Sequence, residues 1–72
     1  MMHICLHFNH DENWLLYIIG LLKEMLPEYE IHHSSVKNGH LIQLDVEESY
    51  EFYLAYGFLS FYGGKKYDNL NV

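Results

Sequence analysis

Residues 29–47 read YEIHHSSVKNGHLIQLDVE, two alternating runs on either side of Asn38-Gly39. An Asn-Gly pair suits the positive φ angles of a two-residue hairpin turn, so the sequence predicts antiparallel strands that close on a Lys37–His40 pair. Counting outward places Ile31, His33 and Ser35 on one side with Ile42, Leu44 and Val46. Glu30, His32 and Ser34 fall on the other side with Gln43, Asp45 and Glu47. One face is dry and the other wet, with Val36 and Leu41 as apolar exceptions. A hairpin of this kind needs further strands and a covering layer on its dry side only.

The flanking segments supply both. Residues 3–8, HICLHF, alternate Ile4, Leu6 and Phe8 against His3, Cys5 and His7, the period of a half-buried strand. Asn9 with Glu12 three positions on has the form of a helix-capping box, and Trp14, Leu15, Ile18, Leu22 and Met25 follow at helical spacing until Pro27. After the hairpin, YEFYLAYGFLSFY (residues 50–62) carries seven of the chain's twelve aromatic rings. A helix begun near Glu47 or Ser49 would find a C-terminal cap in Gly57, leaving FLSFY as a fourth strand that stops at Gly63-Gly64. The resulting order, βαββαβ, predicts one α+β domain over residues 1–72. Its fold is a ferredoxin-like two-layer sandwich, with two helices on one face of a four-stranded, mainly antiparallel sheet. The first and third strands are expected in the centre, the fourth beside the first and the second beside the third. Residues 68–72 read as a flexible tail.

Chemistry is bounded by what this composition lacks. Ten acidic residues face four lysines and no arginine, for a net charge of −6, which removes the bidentate donor best suited to phosphate and base edges. Direct nucleic-acid binding is therefore not expected, whereas a protein partner with a basic surface is compatible with the charge. The apolar run WLLYIIGLL (residues 14–22) falls well short of the roughly 20 residues that span a bilayer. Asp11 and Glu12 precede it where a signal peptide would carry Lys or Arg, so we read it as a buried helix, with no membrane or leader role. A single cysteine, Cys5, excludes an internal disulfide framework and fits a reducing, cytoplasmic setting.

Two sets of residues then stand out. On the open sheet face the expected topology gathers His3, Cys5, His7, His32 and Asp45, a chemically sensible donor set for zinc or copper. Same-face neighbours on one strand stand about 7 Å apart, however, so the backbone alone does not bring these donors to one ion. Cys5 with His3 or His7, and Asp45 with His32, are the nearest approach to a nucleophile or acid–base pair, and neither lies in a catalytic motif. No resident cofactor and no enzymatic activity are expected on this reading. The second set is surplus apolar surface: a wide first helix, the rings of Tyr53, Tyr56, Phe58, Phe61 and Tyr62, and Val36 with Leu41. Tyr and Phe concentrated in this way mark interaction sites. The expected function is that of a small acidic interaction module that forms homo-oligomers, masks or inhibits a larger macromolecule, or does both. Phage- or toxin-antidote-type inhibitors share its size and charge. The alternative is a small-ligand or metal-sensing module that uses the open sheet face.

Overall fold

The computed structural model describes residues 1–67; the tail expected at residues 68–72 lies outside them. Six elements follow in order: β1 (Met2–Phe8), α1 (Glu12–Met25), β2 (His32–Val36), β3 (Gly39–Val46), α2 (Ser49–Phe61) and β4 (Lys65–Lys66). The sheet order is β2-β3-β1-β4 with every neighbouring pair antiparallel. The ferredoxin-like sandwich and its strand order thus match the sequence reading. Alternate residues of the two central strands, Ile4, Leu6 and Phe8 with Ile42, Leu44 and Val46, turn toward the helices. There they form one buried cluster with Leu15, Ile18 and Leu22 of α1 and Ala55 and Leu59 of α2.

Three local expectations are corrected. First, α2 does not stop at Gly57 but runs on through Phe61, so Phe58 to Tyr62 is not a strand and the fourth strand is the short Lys65–Lys66. A glycine inside a helix costs about 1 kcal/mol. Continuing the helix puts Leu59 in the core with no exposed surface, a gain of roughly 1.5–3 kcal/mol that outweighs the glycine. The true stop is Gly63, at φ 97°. Its N–H donates to the Ser60 carbonyl (3.1 Å) and the Gly64 N–H to the Leu59 carbonyl (2.8 Å), the paired bonds of a Schellman cap.

Second, the hairpin closes one step earlier than the Asn-Gly rule implies. Val36 pairs with Gly39 and Ser35 with His40, which leaves Lys37 and Asn38 in the turn. Gly39 instead begins the strand, at φ 143°. A Cβ there would lie 2.2 Å from the Phe8 carbonyl oxygen, so the close approach of β1 is what requires glycine at this position. The register therefore differs by two residues, and because side chains alternate with period two the dry and wet faces keep their assigned residues.

Third, the cap of α1 is Asp11 and not Asn9. The Asp11 carboxylate accepts from the Trp14 N–H at 2.9 Å, and His10 stacks on the Trp14 indole with ring centroids 4.2 Å apart. That contact fixes the chain's entry into the helix two residues later than the capping-box pattern suggested. Leu26 follows as the C-cap, immediately before Pro27.

Candidate functional site

The outward side of α2 is assembled by the helical period itself. Residues Glu51, Ala55 and Leu59 point inward, which leaves Ser49, Tyr50, Tyr53, Leu54, Gly57, Ser60 and Phe61 exposed. None of these outward residues is charged. The single charged residue of the helix, Glu51, is the one that is buried, with 5 % of its surface exposed. Its carboxylate accepts hydrogen bonds from the Tyr29 hydroxyl (2.5 Å) and from the Glu48 N–H (3.1 Å). Tyr29 in turn accepts from the Glu47 N–H at 3.2 Å. The bond to Glu51 holds the proton on the Tyr29 hydroxyl and pushes its pKa up from the usual tyrosine range.

Of the rings expected at an interface, Tyr53 and Phe61 are exposed at 73 % and 81 %. Tyr56, Phe58 and Tyr62 are half-buried and packed against the core. Val36 is half-buried and Leu41 is buried, both on the sheet side, apart from the helical stripe. Leu16 and Tyr17 of the wide first helix are exposed on α1 as expected, and two residues not named as interface candidates, Tyr50 and Leu54, complete the stripe on α2. The signal for them was present, since 50, 53, 54, 57 and 61 share one helical face once the helix is allowed to pass through Gly57. At the edge of the sheet, a groove of about 480 Å³ is lined by Cys5, Phe52, Tyr53, Tyr56, Lys66 and Tyr67, among others.

On the open sheet face the register places His3 opposite Asp45, Cys5 opposite Gln43 and His7 opposite Leu41. Only the first of these becomes a bond: His3 Nδ1 lies 2.8 Å from the Asp45 carboxylate, with both side chains about half exposed. His32 opposes Gln43, and its ring lies 3.9 Å from the Glu30 carboxylate. The His7 ring stacks with Tyr67 and sits against Gly39, four residues along the strand from His3, roughly 13 Å away. The five expected metal donors are thus not brought together. Burial pushes the Cys5 thiol up from its usual value, which keeps it protonated and weakly nucleophilic at neutral pH.

A different cluster forms on the other side of the sheet, at the end where α1 begins. His33 Nε2 and His40 Nδ1 are 3.1 Å apart. A Glu12 carboxylate oxygen joins them, with all three donor atoms within 4.8 Å of one another. The two histidines share a face under either register, but only the observed one makes them diagonal neighbours, because His33 opposes Ile42. With closure on Lys37 and His40 they would stand further apart, and the cluster would not be visible.

The fold and these surfaces define a small ferredoxin-like α+β protein with an uncharged aromatic helix face and a separate histidine cluster. No protein-family model, curated protein or solved structure matches the chain. Among the described residues, no helix is long and apolar enough to cross a membrane.

Proposed function

We propose that the chain is a small self-associating interaction module whose outward helical face packs against the same face of a second copy. The observation that carries this reading is the inversion of α2: its one charge is inside, and its exposed positions are apolar or neutral. A helix that is apolar all round is normally covered on all sides.

Self-association is favoured over a foreign occupant by the likeness of the two helices. Leu16, Tyr17 and Gly20 on α1 repeat the spacing of Tyr53, Leu54 and Gly57 on α2, and both glycines are exposed with no other atoms crowding the place of a Cβ. Large side chains beside a notch at equal spacing make a surface able to complement its own copy, as a two-fold interface requires. A standard interface takes about 800 Å² from each partner. That is about a sixth of the 4838 Å² that this chain exposes. A single cysteine, Cys5, with no second thiol in the chain for an internal disulfide, supports a reducing, cytoplasmic setting.

Sedimentation equilibrium over a concentration series tests the proposal. The wild-type chain is expected to dimerise, and a Tyr53→Ser/Leu54→Ser variant to remain monomeric while melting within a few degrees of it. A wild-type chain that stays monomeric at high concentration overturns self-association.

A further inference from the structure

We infer that Glu12, His33 and His40 form a binding site for a divalent transition-metal ion of the zinc type, which ties the start of α1 to the β2–β3 hairpin. Three elements contribute one donor each: Glu12 from the first turn of α1, His33 from β2 and His40 from β3. Zn–N bonds of about 2.0–2.1 Å in a tetrahedron set neighbouring ligand atoms about 3.3–3.4 Å apart. The two imidazole nitrogens already stand at 3.1 Å, so an ion requires a small separation of the rings and a turn of each that aims both lone pairs at one centre. Glu12 is exposed, and its flexible side chain closes the remaining gap from within 4.8 Å.

In the absence of metal the contact is a hydrogen bond in which one ring donates and the other accepts. With an ion bound, both facing nitrogens present lone pairs, and the proton of the donor ring moves to its far nitrogen. Imidazole donors select zinc, copper, nickel or cobalt over magnesium and calcium, which prefer oxygen. The net charge of −6 further favours a cation. Two histidines and one carboxylate leave a coordination position for water, as in a set of three protein ligands on zinc.

A small chain gains most from such a tie, since its own core contributes little. Binding also favours the folded state, because Glu12 meets His33 and His40 only when α1 packs on the hairpin.

Isothermal titration of the full chain with zinc chloride tests the site, with cobalt(II) absorption as a second readout. One ion per chain is expected, with the melting temperature raised by roughly 10–20 °C when free zinc is a hundred times its Kd. His33→Gln and His40→Gln, each shown to be folded by circular dichroism, are expected to weaken binding at least about tenfold. His3→Gln and Cys5→Ser are expected to leave it unchanged. If a variant fails to fold, imidazole nitrogen–proton correlation spectra of the wild-type chain decide: zinc should move the His33 and His40 signals and spare those of His3 and His32. Absence of heat and of any melting shift at excess zinc overturns the site. So does binding that survives in the His33→Gln/His40→Gln chain, or that moves the His3 and His32 signals instead.

Discussion

The two helices lie on the same sheet face and each buries three residues, yet they divide their surfaces in opposite ways. In α1 the buried residues are Leu15, Ile18 and Leu22, and the charged residues Glu12, Lys23 and Glu24 are all exposed. The hydrophobic pattern alone fixes its rotation. In α2 the inward row is Glu51, Ala55 and Leu59, while Tyr50, Tyr53, Leu54 and Phe61 stand in solvent. Apolar residues surround that helix, so water avoidance does not choose which side faces the sheet. The choice falls to shape and to one polar contact: Ala55 is small enough to sit against the sheet, and Glu51 reaches the Tyr29 hydroxyl, its bond to the Glu48 N–H being the capping box of α2 itself. A helix can therefore be oriented by its single charge when that charge is the residue turned inward.

The largest effects should be equal in the two helices. Leu59→Ala and Ile18→Ala each remove a fully buried side chain, and each is expected to cost about 2–5 kcal/mol in chemical denaturation. A domain of this size has a total stability of only roughly 4–11 kcal/mol. A much smaller loss at Leu59 would mean that α2 does not pass through Gly57 to reach the core.

Next in size is the contact that orients α2. Glu51→Ala leaves the Tyr29 hydroxyl and the Glu48 N–H without their shared acceptor, an expected loss of roughly 2 kcal/mol. Glu51→Gln retains a carbonyl oxygen and should lose less. The capping contact of α1 is worth less again: Asp11→Ala is expected to cost about 1 kcal/mol. The α2 contact also titrates. Because Glu51 holds the proton on Tyr29 beyond its ordinary range, the native chain keeps a proton that the unfolded chain releases near pH 10. That contribution is full below pH 10 and is lost as the pH rises through the native value. The melting temperatures of the wild type and Tyr29→Phe should therefore converge above about pH 10. A gap that stays constant to the highest accessible pH would remove the hydrogen bond from the account.

The contrast between the helices also explains what could be read from the sequence. The strand alternation of residues 3–8 and 41–46 and the stripe of α1 marked β1, α1 and the hairpin, and the usual ferredoxin-like topology then put β1 beside β3; the last strand was expected too early, at residues 58–62 and not at Lys65–Lys66. Both hairpin faces survived an error of register, since a slip of two residues preserves side-chain parity. What stayed hidden depended on choices between near-equal local signals. Gly57 and Gly63 are both plausible caps, and only the burial of Leu59 separates them. Lys37-Asn38 and Asn38-Gly39 are both plausible turns, and only the approach of the Phe8 carbonyl to Gly39 decides. The histidine cluster was lost with that second choice, because His33 meets His40 only in the observed register. Glu51 could be read as a first-turn acid of α2, but its burial had no sequence signal, since a lone acid in an apolar helix reads as its wet side.

The smallest predicted effect separates the two surfaces of α2 most directly. Gly57 lies inside the helix, exposed, with no other atoms crowding the place a Cβ would take. Gly57→Ala is therefore expected to stabilise the monomer, by about 0.5–1 kcal/mol, through the lower backbone entropy of alanine. Gly63→Ala should do the opposite, because φ there is 97° and the added Cβ would fall 2.6 Å from the His10 ring. If the notch at Gly57 receives a side chain from a second copy, the same methyl group that raises the melting temperature in dilute solution should weaken association in the sedimentation series. Opposite signs in the two measurements tie the glycine to the proposed interface. A variant that melts higher and associates as tightly as the wild type would place Gly57 outside the contact and leave Tyr53, Leu54 and Phe61 to form it alone.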